Sequence, residues 1–309
     1  MFEKIKTEGM NRWEWLKLRM SGIGGSDAGA IAGVNPYRSP MNVYLDKINL
    51  DLDQKETEAI RCGHDLEAYV AERFTEATGL KVRKSNYMYR SREYPFMIAD
   101  VDRLISGEDA GLECKTCNAY KASAWDDQAI PESYVIQCYH YMAVTGKRTW
   151  YIACLIMGVG FVYRKLIWDD ALISGLIELE KKFWYDHVVT QIIPEPDGSE
   201  SCAKALFSMY PNARTGTVLN LDDVEEDLNR RAAILKEMDA LEEEQKRIEQ
   251  RIKLAMGENE RAVSGRYSIK WENMDTTRLD TKRIKEERPD IYSQYSNISK
   301  SRRFSVKAA

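Results

Sequence analysis

The stretch ADVDRLISGEDAGLECKT, residues 99–116, constrains this chain more than any other. Apolar residues alternate with others on both sides of a turn rich in glycine and acid, which predicts a β-hairpin. Inside it stand Asp102, Glu113 and Lys115, each costly to bury unpaired. Residues two apart on a strand share a face, so Glu113 and Lys115 point one way and Cys114 the other. The turn folds Asp102 back beside Glu113. Two carboxylates that close repel unless a cation neutralises them, and oxygen ligands with open water positions suit Mg²⁺, with Mn²⁺ able to substitute. Lys115 next to such a metal could orient a water or help to deprotonate it, which is the apparatus for hydrolysing a phosphodiester. A surface hairpin with an i, i+2 ion pair is the plainer alternative, and these residues alone leave both open.

The rest of the chain bounds the answer. At 309 residues it can bury a large domain and carry an appendage. No apolar run approaches the ~20 residues of a membrane span, and the charged start MFEKIKTEGMNRWEWLKLRM lacks the core of a signal peptide. Six irregularly spaced cysteines do not form a disulfide framework, so a reduced, cytoplasmic protein without a membrane partner is expected. The formal net charge of −4 gives no global nucleic-acid signature. Charge is uneven, however: from Arg266 to Ala309 there are eleven Lys/Arg against six Asp/Glu.

Periodicity lays out the elements. LRMSGIGGSDAGAIAGVNPYRSPMNVYLDKI reads as the end of a helix, a glycine-rich turn, a helix capped by Ser26 or Asp27, a loop and a helix. An amphipathic helix carries Leu66, Val70 and Phe74 and stops at Gly79. KVRKSNYMYRS and PFMIADVDRL read as two alternating strands, followed by the turn and LECKT. A helix is expected from about Ser133 to Thr145, then strands TWYIACLI and FVYRKLI and a helix from near Asp169. The run Pro194–Ser201 is the best linker. Beyond it, Ile234, Met238, Leu241, Gln245, Ile248, Ile252 and Ala255 follow a 4-3-4-3 spacing that ends at Gly257. This fits a helical hairpin or short coiled coil, and equally a lone helix. The tail mixes aromatic and basic residues, as a nucleic-acid surface or a polar closing element would.

VDRLISGEDAGLECKT resembles the D-(ten residues)-E-x-K core of the PD-(D/E)xK nuclease superfamily. LRMSGIGGSDAGAIAGVNPYRSPMNVYLDKI is similar to the opening motif of the YqaJ-type phage recombinase family, related to bacteriophage lambda exonuclease. The resemblance covers about residues 10–190 in four ordered blocks, and the C-terminal part resembles the family's extension more weakly. It implies an α/β (α+β) fold of restriction-endonuclease type, with a central mixed sheet flanked by helices. The expected layout is a nuclease domain over residues 1–200, a coiled-coil-like helix over 218–257 and a basic extension over 258–309.

The resemblance also implies roles. Asp102 and Glu113 match the metal-binding carboxylates, the Cys114 carbonyl a backbone ligand, and Lys115 the catalytic lysine. Glu67 matches the helical acid at a second metal position, and Gln137 the glutamine lining the site. Arg19 and Ser26, seven apart, match the pair that holds a DNA 5′-phosphate, and the glycine-rich turn between them could add backbone donors. Asp100 stands where the lambda-type enzyme has a phosphate-binding serine. It is a candidate extra metal ligand and weighs against strict 5′-phosphate dependence. The implied function is a Mg²⁺-dependent 5′→3′ exonuclease on linear double-stranded DNA, leaving 3′ strands for phage or prophage recombination. Its implied partners are DNA ends, its own copies in a trimeric ring, and a single-strand annealing protein. A structure-specific or nicking endonuclease, or a non-catalytic DNA-binding or assembly protein, are the alternatives. No iron–sulfur cluster is expected, because only Cys202 lies beyond Cys154. Cys114 and Cys117 read as buried or idle thiols, Trp13, Trp15, Tyr37 and Trp125 as packing residues, and His64 as a structural histidine.

Overall fold

The alternation in residues 110–117 and 149–156 produces two adjacent strands, and the fold is built outward from that pair. The computed structural model describes residues 2–49, 57–298 and 300–307. Its chain forms two compact units, residues 1–210 and 211–309.

In the first unit the order is β1 (Phe2–Lys6), α1 (Arg12–Met20), α2 (Gly25–Ile31), α3 (Pro40–Ile48), α4 (Glu58–Thr78), β2 (Val82–Lys84), β3 (Tyr87–Ser91), β4 (Ile98–Asp100), β5 (Arg103–Ile105), β6 (Ala110–Cys117), α5 (Glu132–Thr145), β7 (Thr149–Ile156), β8 (Gly160–Ile167), α6 (Asp170–Phe183) and α7 (Glu200–Met209). Five strands make a mixed sheet in the order β2-β5-β6-β7-β8. The β6–β7 pair is parallel, with Glu113 beside Ile152, and the other pairs are antiparallel. The parallel pair needs a crossover, and α5 supplies it. A second sheet has the order β1-β3-β4.

Strand alternation decides what faces what. Ala110 and Leu112 of β6 and Tyr151 and Ala153 of β7 meet Val70, Ala71 and Phe74 of α4. Trp150, Ile152 and Cys154 pack on the other side with Cys138 and Met142 of α5. Glu113 and Lys115 therefore fall on the α5 side of β6. Thr57 caps the start of α4, and Gly79, with φ +73°, ends it.

Two expected strands are corrected. KVRKSNYMYRS divides into β2 and β3, and PFMIADVDRL into β4 and β5, with the halves in different sheets. Each break marks a crossing between sheets, and the second crossing is at Val101–Asp102. The first unit also runs past residue 200 to Tyr210, because Cys202 and Ala205 of α7 bury against Met41 of α3.

The second unit holds α8 (Glu225–Met256), the hairpin β9 (Arg261–Ser264) with β10 (Tyr267–Lys270), and the short helices α9 (Thr281–Glu287) and α10 (Pro289–Tyr295). The 4-3-4-3 segment is one continuous helix of 32 residues. Its seam is open: Met238 is 58% and Leu241 66% exposed, and only Met256 is buried along the helix. Among the described residues no helix is long and apolar enough to cross a membrane.

Candidate active site

Asp102 sits at the bend where the chain leaves β4 and enters β5. The register Arg103–Leu112 brings it beside Glu113. Its carboxylate accepts the Cys114 N–H at 2.8 Å, a bond that fixes it against β6. On the same strand Lys115 Nζ donates to Glu113 Oε1 at 2.5 Å and to Gln137 Oε1 at 3.0 Å, and lies 4.7 Å from the centre of the Tyr134 ring. Gln137 Nε2 donates to Glu113 Oε1 at 2.7 Å and to the Tyr141 hydroxyl at 2.8 Å. The hairpin and α5 thus bring together Asp102, Glu113, Lys115 and Gln137.

Electrostatics leave this cluster short of positive charge. Burial, then Glu113, then Glu67 push the Asp102 carboxyl well above the ordinary carboxylate range, against a smaller pull from Lys115. Burial alone would lower the Lys115 ammonium, but Glu113 and Asp102 reverse this, so it is held charged. Glu113 Oε2 is buried without a hydrogen-bond partner among the described residues. An orphaned buried carboxylate oxygen close to a second acid is costly unless a cation binds it. The oxygen donors of Asp102 and Glu113 are carboxylates, a hard set that fits Mg²⁺ or Mn²⁺. Among the described residues no three His, Cys, Asp or Glu side chains already converge as a metal cluster.

The other expected residues are placed as follows. Glu67 of α4 lines a cleft of about 460 Å³ together with Trp15, His64, Lys84, Asp100 and Asp102. Its carboxylate is taken by buried Arg103, which also donates to the Asp102 carbonyl at 2.7 Å. Asp100 shares the cleft, but one of its oxygens accepts the Trp15 indole N–H at 3.0 Å. Burial raises its carboxyl, against a pull from that bond. Arg19, at the end of α1, donates to the Ser26 hydroxyl at 2.9 Å and stacks over Trp15 at 5.1 Å. Trp15 thereby links the Arg19–Ser26 pair to the cleft that holds Asp102. Two donors of the glycine-rich turn are already engaged, Ile23 N–H with the Phe96 carbonyl and Gly24 N–H with Asp27. Trp125 is core, 3% exposed, whereas Trp13 and Tyr37 are exposed. His140 is fully buried between Glu180 and the Ile98 carbonyl. Cys117 and Cys154 approach to 3.7 Å as free thiols.

Sequence reasoning missed Arg103, Tyr134, Tyr141 and the group Asp27–Arg38–Lys47. Arg103 directly follows Asp102, which was a usable signal. Gln137 and Tyr141 stand one helical turn apart, which was another. The Asp27 group spans three elements and carries no local pattern.

A mixed sheet with a helical acid, a hairpin acid pair and a lysine defines a class of protein, and residues 14–148 match the YqaJ-like viral recombinase domain. The chain belongs to that family. It is 37% identical to YqaJ of Bacillus subtilis strain 168 over 306 residues, covering 98% of this chain and 96% of that one. Its fold is also that of an alkaline exonuclease, LHK-Exo, from Laribacter hongkongensis, with a TM-score of 0.51 at 19% identity over 58% of this chain and 93% of that one. A second structure of LHK-Exo, in complex with dAMP, matches with a TM-score of 0.50 at 18% identity over the same shares.

Proposed function

We propose that this chain is a divalent-metal-dependent deoxyribonuclease, acting as a 5′→3′ exonuclease on linear duplex DNA in phage or prophage recombination. The observation that carries this reading is the hydrogen-bonded constellation of Asp102, Glu113, Lys115 and Gln137, in which Glu113 and Gln137 are buried and Glu113 Oε2 is unpartnered among the described residues. Asp102, Glu113 and the Cys114 carbonyl would hold the cation, and Mg²⁺ fits that donor set. Once bound, the cation would supply charge stabilisation of the phosphoryl oxygens and acidify water. Lys115, fixed by Glu113, Gln137 and the Tyr134 ring, would orient a water or help to deprotonate it and offset charge gathering on the scissile phosphate. Gln137 keeps Glu113 and Lys115 in register. Glu67, tied to Arg103, shapes the cleft wall and the second metal position, with Asp100 alongside it.

Arg19 and Ser26 form the end pocket for a 5′-phosphate, connected to the cleft through Trp15. The complex of LHK-Exo with dAMP supports a nucleotide monophosphate as the product class. The same reading takes residues 1–200 as the nuclease part, 218–257 and 258–309 as the assembly or partner-binding part, a trimeric ring as the working form, an annealing protein as partner, and the bacterial host cytoplasm as the location. The test compares end-labelled linear duplex with covalently closed circles, each with Mg²⁺ and with chelator. Loss of label from linear DNA alone, dependent on Mg²⁺, is expected. Nicking of closed circles would replace the exonuclease by an endonuclease of the same fold, and inactivity on both would leave a DNA-binding role.

A further inference from the structure

Behind Arg19 and Ser26 lies a charged cluster that the hydrolytic chemistry does not use. Asp27 is 1% exposed. Its Oδ2 accepts from Lys47 Nζ at 2.7 Å and from the Gly24 N–H at 3.0 Å. Its Oδ1 accepts from Arg38 Nη1 at 3.0 Å and lies 3.5 Å from Arg19 Nη2. Lys47 Nζ, buried as well, donates a second bond to the Arg19 carbonyl at 3.0 Å. Arg38 reaches on to Asp46 at 2.5 Å. Arg19, Asp27, Arg38, Asp46 and Lys47 all border one cavity of about 350 Å³.

A buried carboxylate holds its charge only where cations surround it, and here three do. Burial by itself would raise the Asp27 carboxyl, but Lys47, Arg19 and Arg38 hold it well below the ordinary range. The arrangement grips Arg19 at both ends, its carbonyl by Lys47 and its guanidinium by Asp27 and Ser26. It also ties the end of α1, the start of α2 and α3 into one unit. Ser26 stays exposed and the Arg19 side chain keeps 29% of its surface open, so both face outward from a rigid base. A preset pair of donors spends little ordering entropy when an anion arrives.

We propose that Asp27, clamped by Lys47, is a positioning residue that fixes the Arg19–Ser26 pair and so sets the preference for 5′-phosphorylated over 5′-hydroxyl DNA ends without touching the DNA. The proposal rests on the end-pocket reading of Arg19 given above. The experiment measures single-turnover digestion of one duplex sequence carrying either end, using the full chain with Mg²⁺. Asp27→Asn keeps an oxygen for the Gly24 N–H and removes the charge. The double variant Asp27→Asn/Lys47→Met removes both buried charges together and avoids a lone one. Each should lower the phosphate-to-hydroxyl rate ratio by about tenfold, chiefly through the enzyme concentration that gives the half-maximal rate on the phosphorylated end, since charge-assisted contacts depend on placement. The rate on hydroxyl ends should stay within about twofold of the parent, because the acid pair and Lys115 are untouched. An unchanged ratio in both variants, or an equal loss on both ends, overturns the proposal when Arg19→Ala does lower the ratio. If Arg19→Ala leaves the ratio unchanged, the end-pocket reading itself fails and this inference with it.

Discussion

Replacing Gly25 by alanine should disable the site through the packing of Tyr141 and Gln137 behind it. A Cβ there would stand 2.5 and 2.8 Å from two ring carbons of Tyr141 and 3.1 Å from Cγ of Gln137. Carbon atoms in ordinary contact are ~3.5–4.0 Å apart, so the ring would have to move by about 1 Å. It has little room, being 5% exposed and packed on Trp150 with ring centres 5.2 Å apart. Its hydroxyl anchors Gln137, and Gln137 anchors both Glu113 and Lys115. Overpacking of this kind costs about 1–3 kcal/mol of stability. A shift of ~1 Å passed to Lys115 should slow hydrolysis by up to ~100-fold. Urea unfolding followed by tryptophan fluorescence reads the first quantity, and single-turnover digestion of linear duplex reads the second. Gly175→Ala is the control: nothing lies within 4 Å of a Cβ there, and it is inside α6. That variant should gain up to ~1 kcal/mol with its rate unchanged. A Gly25→Ala protein of reduced stability but parental rate would refute the link from Tyr141 through Gln137 to Lys115.

Asp102→Ala, Glu113→Ala and Lys115→Ala should each abolish Mg²⁺-dependent DNA degradation while the fold survives, as circular dichroism would check; parental turnover in any one would remove that residue from the site. Calorimetric titration of Mn²⁺ should lose its binding isotherm in Asp102→Ala and Glu113→Ala, and persistence in both would place the metal elsewhere. Asp27 has a lowered pKa in the fold, so its stabilising contribution is complete above its ordinary 3.8 and is lost as pH falls below it. The stability gap between the parent and Asp27→Asn should therefore narrow from about pH 4 to about pH 2 in urea titrations, and a gap that widens would contradict the sign. Ile248 and Ile252 are 42% and 38% exposed on α8, so Ile248→Asp with Ile252→Asp should leave the chain soluble. If the seam joins copies, light scattering should show a smaller particle, with hydrolysis of short duplexes retained; an unchanged mass together with unchanged binding of a partner in a pull-down would rule out the seam as an assembly or docking surface.

Much of the site was legible because its parts are close in sequence. The hairpin from Asp102 to Lys115 is encoded by strand alternation and a turn with Gly107 at φ +83°, and a period of two fixes which side chains share a face. The helices carrying Glu67 and Gln137 were legible from their spacing, and the first also from Gly79, which ends it at positive φ. The tertiary structure alone decided the pairings between distant segments. It split two strands where the chain passes between sheets, and so put Asp102 at a bend. It set Trp15 on Asp100 across 85 residues, Arg103 on Glu67 across 36 and Lys47 on Asp27 across 20. Hydrophobic periodicity is a property of a few successive residues, whereas the partner of a buried charge is whichever opposite charge the packed elements carry to it. No local pattern encodes that choice, which is why the placement of the acid pair and its lysine on one hairpin could be read from the chain and the ion pairs around the pocket could not.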